Sequence, residues 1–362
     1  MVEPTESDIR AAAQDLALIG RVGGIAVKDG AVQVSLEVEP GLAEEAGDER
    51  RAIEAALTAL PGVTSATVVL TAERAAAPPP ERRPTGSASG QTSGRIELPG
   101  VKSIVAVASG KGGVGKSTVA VNLAVALSRQ GLAVGLMDSD IFGPSLPRMM
   151  GISGKPSLVG EKTLVPMRKW GVACMSIGFL ISEETAMIWR GPMVMSAVQQ
   201  LIGDVAWGEL DVLLIDMPPG TGDAQLTLSQ RVPLTGAVIV STPQDIALLD
   251  ARRGISMFRK VEVPVLGLVE NMSVFVCPHC GEGTHIFGSG GARAEAEKLG
   301  APFLGEAPLA LELRERCDAG EPAAADDASP SGQAFHEIAA RLWQQVEARR
   351  ATGPAAPRIV ME

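Results

Sequence analysis

No uninterrupted apolar run in this 362-residue chain reaches membrane-spanning length. No secretion leader is visible either: Met1-Val2-Glu3-Pro4-Thr5-Glu6 is acidic, where such leaders begin basic and turn apolar. Basic charge is in deficit, with 32 Lys and Arg against 42 Asp and Glu, and the net of −10 argues against a general nucleic-acid-binding surface. The deficit is concentrated in residues 1–75, which carry 13 acidic and 6 basic side chains. Cysteine is scarce, at Cys174, Cys277, Cys280 and Cys317 alone. These absences predict a cytoplasmic protein with reduced thiols and with neither membrane nor nucleic acid as a partner. In that setting a close cysteine pair reads as metal or redox chemistry.

What is present is an ordinary globular composition, 46% hydrophobic and 20% charged, on a chain too long for one typical core. Residues 76–98 are rich in Pro, Gly and Ser, hold almost nothing to bury, and read as a flexible linker. Before it, residues 1–75 predict a small α+β domain: a helix over Asp8–Ile19, a hairpin of Gly24–Val27 and Ala31–Val38 around Lys28-Asp29-Gly30, a helix over Glu44–Leu60 and a strand over Val63–Thr71. After it, residues 99–350 alternate strands with helices. The strands are Val101–Ala108, Ala133–Met137, Val212–Ile215, Ala237–Ser241, Val265–Val269 and Pro302–Leu304, with a helix over Thr118–Gln130. Continuous apolar strands separated by helices predict an α/β fold, a mostly parallel sheet with helices on both faces. Phe335, Ile338, Leu342 and Val346 have helical spacing and favour a helix packed on that sheet, followed by a tail, 351–362.

The strongest signal is Gly110-Lys111-Gly112-Gly113-Val114-Gly115-Lys116-Ser117, placed directly after the apolar run Ile104–Ala108. It fits G-x-x-x-x-G-K-[ST], a phosphate loop between a strand and a helix. Glycines allow the backbone N–H groups to turn inward around an anion, and the helix beginning near Thr118 points its positive end at the same place. Lys116 would reach the β- and γ-phosphates, and the Ser117 hydroxyl would bind Mg²⁺. Lys111 is a second lysine that an ordinary phosphate loop does not require. Asp216 closes an apolar strand and fits the acid that orients Mg²⁺ or its waters. Asp138 and Asp140 close another, with Asp140 the candidate for positioning the attacking water and Asp138 supporting the metal shell. No N-K-x-D guanine-reading motif follows, which favours ATP.

Cys277-Pro278-His279-Cys280 supplies two thiolates, half of a four-thiolate shell. A dimer giving one pair per subunit would complete it. On spacing alone, cluster binding, a zinc site that adds His285, and a redox dithiol all remain open. Cys174 lies in an apolar stretch and reads as a buried small hydrophobe, and Cys317 has no partner motif.

In order along the chain, Lys111–Ser117, Asp138-Ser-Asp140-Ile-Phe-Gly-Pro, Asp216-Met-Pro-Pro-Gly-Thr-Gly-Asp223, Ser241-Thr-Pro-Gln244, Glu270-Asn271-Met272-Ser273 and Cys277-Pro-His-Cys280 resemble the Mrp/ApbC family of iron–sulfur cluster carrier ATPases, within the MinD/ParA-like deviant Walker A group. The resemblance covers about residues 99–345. It implies a P-loop NTPase fold, catalytic Lys111, Lys116 and Asp140, and a nucleotide site built from Gly110–Thr118, Asp138, Asp216 and Asn271. It implies that Lys111 reaches nucleotide across a homodimer interface and that Asn271 helps read adenine. Cys277 and Cys280 would bind a [4Fe–4S] cluster bridging two subunits, exchanged with scaffold proteins and apo iron–sulfur proteins. The first domain is similar in outline to the small α+β domain that often precedes this core, but it lacks the Asp-Pro-Glu motif and reactive cysteine of that pattern. A positioning or partition ATPase is the alternative; it accounts for Lys111 but not for the cysteine pair.

Overall fold

The computed structural model describes residues 6–14, 16, 21–28, 31–38, 46–63, 65–72, 96, 98–160, 162–181 and 191–352. The chain divides into two compact units, Met1–Ser89 and Gly90–Glu362. The division falls inside the segment 76–98. Most of that segment lies outside the described residues, as do the Asp29-Gly30 turn and residues 353–362 of the tail.

The first unit runs α1 (Glu6–Gln14), β1 (Arg21–Lys28), β2 (Ala31–Val38), α2 (Ala46–Thr58), β3 (Ser65–Ala72). β1 pairs antiparallel with β2, and β3 returns parallel to β2 after the α2 crossover. Val32, Val34, Leu36 and Val38 are buried at the strand period of two, while Gln33 between them is exposed. Ile53 and Leu57, one helical turn apart on α2, and Ile9 and Ala13 on α1 close that core.

The second unit begins with β4 (Ile104–Ala108), α3 (Lys116–Arg129), β5 (Val134–Asp138) and α4 (Leu146–Met150). A small ribbon of β6 (Leu158–Val159) and β7 (Thr163–Leu164) precedes β8 (Met167–Lys169) and β9 (Val172–Ser176). Then come α5 (Gly191–Gly203), β10 (Val212–Asp216), α6 (Asp223–Arg231), β11 (Gly236–Ser241) and α7 (Asp245–Lys260). The chain continues through β12 (Val265–Val276), β13 (Gly283–Thr284), α8 (Gly291–Leu299), β14 (Phe303–Leu309), α9 (Leu311–Ala319) and α10 (Pro330–Thr352). The sheet order is β13-β12-β11-β4-β10-β5-β9-β8, with β14 joining β12. β9, β5, β10, β4, β11, β12 and β14 are mutually parallel, and β8 and β13 are antiparallel additions at its ends. This is the α/β arrangement expected from the strand pattern, and it is the P-loop NTPase fold that the resemblance implies. Every residue of β4, β5, β10 and β11 is buried, as required of strands covered on both faces. Phe335, Ile338, Leu342 and Val346 are buried where α10 packs on β14 and α3. Among the described residues no helix is long and apolar enough to cross a membrane.

Two strands are longer than the apolar pattern predicts. β12 runs on past Val269 to Val276, and β14 past Leu304 to Leu309. Both open with the same Pro-x-Leu-Gly pattern, the proline just before the strand: Pro264-Val265-Leu266-Gly267 and Pro302-Phe303-Leu304-Gly305. At each the pairing with the preceding strand slips by one residue, at Leu266 and at Leu304, so the leucine is a bulge residue. Leu266 fills the space where a Cβ on Gly236 of β11 would stand. Leu304 does the same at Gly267 of β12, and Ile338 of α10 at Gly305 of β14.

Candidate functional site

The phosphate-loop residues lie between β4 and α3. Ser109 Oγ donates to the Lys111 carbonyl at 2.8 Å, closing the first turn. Gly113 and Gly115 take φ of +82° and +78°, a left-handed conformation that disfavours side chains. Gly110 faces α7, and a Cβ there would overlap the Asp250 backbone carbonyl. Gly115 is the residue before α3, and no side chain caps that helix. Its first N–H groups are therefore free to meet an anion, as are the loop amides, so the cradle fits a nucleotide phosphate.

The acids arrive from neighbouring strands. Asp216 ends β10 and Asp138 ends β5, directly opposite each other in the register. Lys116 is 7% exposed, and its ammonium pairs with the Asp216 carboxylate. The same ammonium lies 3.4 Å from Ser117 Oγ. Burial raises the Asp216 carboxyl above the usual carboxylate range, and the Lys116 charge opposes that rise. Lys116, Ser117 and Asp216 are thus brought together as a cation-and-hydroxyl set suited to a phosphate and a divalent metal.

Asp138 stands differently. Its carboxylate accepts N–H bonds from Asp140 at 3.0 Å, Ser145 at 3.1 Å and Leu146 at 3.3 Å, and a hydroxyl bond from Ser176 at 3.2 Å. It moulds the loop after β5, and through Asp140's own N–H it fixes the backbone of that residue. Burial first, and the nearby Asp216 charge second, push the Asp138 carboxyl up to about 7. Asp140 is half-buried beside this group, and Lys111 is half-buried on the loop.

Asn271 comes from β12. Its Nδ2 donates to the Val114 carbonyl at 2.9 Å, while its Oδ1 is buried without a protein partner. It shares a cleft of ≈ 660 Å³ with Gly115, Thr118, Met272, Pro308, Leu313 and Cys317. This apolar cleft with a few polar groups, next to the phosphate loop, has the size and character of a site for a nucleotide's base and sugar. Sequence reasoning places Thr118 and Asn271 here but misses the wall made by β14 and α9. Cys317, isolated in the sequence, is tied to α3 by Asn122, whose Nδ2 lies 3.7 Å from its Sγ. That contact spans 195 residues and leaves no local signal.

Cys277 and Cys280 occupy a turn at the far end of β12, Cys277 half-buried and Cys280 exposed. β13 pairs back on Phe275 and Val276, Cys277 N–H donates to the Glu282 carbonyl at 3.0 Å, and Gly281 N–H to the Cys277 carbonyl at 2.9 Å. Backbone N–H groups of Cys280 and His279 hold the Cys277 thiol below its ordinary range. A turn that aims N–H groups at sulfur favours the thiolate that metals and clusters bind. His285, the third ligand of the zinc alternative, has its Nδ1 2.8 Å from the Ser273 carbonyl, which leaves Nε2 available. Among the described residues no three His, Cys, Asp or Glu side chains converge on a metal site. Cys174 is buried in β9, where burial pushes its thiol up to about 12, as expected of a small hydrophobe.

The chain matches the family model described as ParA: NUBPL iron-transfer P-loop NTPase over residues 100–343. It is similar to the iron–sulfur cluster transfer protein NUBPL of Dictyostelium discoideum, 54% identical over 256 residues, covering 70% of this chain and 79% of that one. It is also 54% identical over 251 residues to an iron–sulfur cluster carrier protein of Pseudomonas fragi, covering 68% and 88%. Among solved structures, a nucleotide-binding protein of Archaeoglobus fulgidus in complex with ADP matches with a TM-score of 0.56 at 41% identity, over 65% of this chain and 92% of that one.

Proposed function

Because the chain belongs to the NUBPL iron-transfer family of ParA-type P-loop NTPases, we propose that it is an ATP-hydrolysing carrier that takes an iron–sulfur cluster as cargo, holds it as a [4Fe–4S] centre between two copies, and delivers it to apo-proteins. The observation that carries this reading is the Cys277–Cys280 turn. It presents two thiols, that of Cys277 favoured as thiolate by the backbone N–H groups of Cys280 and His279, and no further ligand joins them among the described residues. Two ligands per chain are half of what a cubane cluster takes, and a second copy related by a two-fold axis doubles them.

The nucleotide roles in this reading rest on the phosphate-loop motif, the family resemblance and the placement of Lys116, Ser117, Asp216 and Asn271 around the loop. Lys116 and the loop amides of residues 110–117 hold the β- and γ-phosphates. Ser117 and Asp216 hold Mg²⁺, which supplies neutralisation of phosphate charge when bound. Asp140 orients the attacking water, with Asp138 fixing its backbone. Lys111 reaches the nucleotide of the second copy. The buried Oδ1 of Asn271 accepts from the adenine amino group, which ends its lack of a partner.

Anaerobic reconstitution with iron and sulfide, followed by iron analysis, absorption spectroscopy and sizing, tests the reading. One [4Fe–4S] cluster per dimer is expected, and none in the Cys277→Ala, Cys280→Ala double variant. Full cluster retention by that variant would overturn the assignment.

A further inference from the structure

β12 carries both ends of the proposed carrier, and its middle is tied down residue by residue. Glu270 is fully buried, and its carboxylate accepts the N–H groups of Gly290 at 3.1 Å and Ala292 at 2.7 Å, fixing the start of α8. Asn271 holds the Val114 carbonyl of the phosphate loop. Ser273 Oγ donates to the Ala307 carbonyl of β14 at 3.2 Å, and its own carbonyl meets His285 just beyond β13. Between these anchors Met272 has φ +59°, one of three non-glycine residues with positive φ among those described. A left-handed residue inside a strand costs about 1–2 kcal/mol and bends the chain, so its neighbours must hold it there. The pairing with β14 is irregular over this same stretch, between Asn271 and Phe275. Three residues after Ser273 the strand ends at Val276, and Cys277 follows.

We propose that Asn271 and Met272 form a hinge that positions the Cys277–Cys280 turn according to the state of the phosphate loop. Asn271 reads the loop through the Val114 carbonyl. The Met272 bend converts its position into the direction of the last strand residues, and the Ser273–His285 contact carries the same displacement to the returning arm of the turn. Asn271 and Met272 are positioning residues for the thiols, not ligands. The proposal rests on the reading of the two sites above and names the control that joins them: nucleotide binding sets how the cysteines are presented to cargo and recipient.

The test uses the reduced, metal-free full chain, so it does not depend on cluster loading. Iodoacetamide labelling of Cys277 and Cys280 is followed by peptide-resolved mass spectrometry without nucleotide, with Mg-ADP, and with a non-hydrolysable ATP analogue. Occupancy is measured directly, so every variant is compared at saturation. The native chain is expected to change its labelling rate about fivefold or more between nucleotide states. Met272→Asn keeps that response, because asparagine tolerates positive φ, whereas β-branched Met272→Val loses it. Asn271→Ala loses it as well and decides the matter if the valine variant does not fold. A labelling rate indifferent to saturating nucleotide in the native chain overturns the proposal. So does a full response in the Met272→Val variant, or a response that tracks dimer formation by sedimentation equally in all variants. If the double-cysteine variant keeps its cluster while native labelling still follows nucleotide, the cargo assignment falls and the hinge stands. Normal cluster loading with no nucleotide effect on labelling leaves the carrier reading intact and removes the hinge.

Discussion

Gly115 and Gly113 sit two residues apart in the phosphate loop with nearly the same φ, yet their surroundings differ. A Cβ on Gly113 meets nothing within 4 Å, while one on Gly115 would overlap Asn271 Nδ2 and drive it from the Val114 carbonyl. Gly113→Ala is therefore expected to cost only its backbone strain, about 1 kcal/mol. Gly115→Ala adds a broken buried hydrogen bond, for about 2–3 kcal/mol in all, and weakens nucleotide binding more than tenfold. Urea unfolding and titration with a fluorescent nucleotide measure both, and equal costs for the two variants would refute the contact's importance. At this scale much of the site is legible in the sequence. The loop, Asp138, Asp216, Asn271 and the cysteine turn are all marked by short motifs, although the partners that Asp216 and Asn271 meet, Lys116 and Val114, lie far away in sequence. Cys317 and the α9 wall of the cleft are not legible, because they reach the site only through long-range packing, α9 against α4 and Cys317 against Asn122 of α3.

Elements meet through a few specific ties, and α7 with α8 is the clearest. Glu295 on α8 is 2% exposed, and both its oxygens accept from Arg252 on α7, Oε2 from Nη2 at 2.6 Å. Arg252 holds the Glu295 carboxyl below the usual range. Arg252→Met leaves that carboxylate buried and unpaired and is expected to destabilise the chain at pH 7, read as a lower urea midpoint. Because the folded-state value is depressed, the pair's contribution is complete above the ordinary carboxylate value and fades as pH falls through the lowered one. The gap between native and variant midpoints in urea should therefore narrow by about pH 4, and a gap unchanged with pH would count against the pair. Strand ends are the least legible feature at this scale. The sequence predicts that β12 stops at Val269, because Glu270, Asn271 and Ser273 break its apolar run. The strand continues because each of those polar side chains finds a partner inside the fold. The two-residue strands β6, β7 and β13 are too short and too exposed to leave a pattern.

For the whole molecule, the described residues of each unit form a hydrophobic core of their own. A chain beginning at Gly90 should fold alone, unfold in one calorimetric transition, and bind nucleotide within about twofold of the full chain. Failure of the shortened chain to bind nucleotide would show that residues 1–89 are needed for the site. The alternation of strands and helices is enough to anticipate the second unit's parallel sheet, since strands covered on both faces leave long apolar runs. The row of branched side chains seated at glycines is invisible in the sequence, because each seat lies on a different element from its occupant. That row has a mechanical outcome. With Leu266 lodged at Gly236, Leu304 at Gly267 and Ile338 at Gly305, no strand on that flank can slide past its neighbour without driving a branched side chain into main chain. The flank of β11, β12 and β14 is keyed at these seats like the tumblers of a lock, so any travel there is left to the residues that follow them along each strand, where the proposed hinge lies.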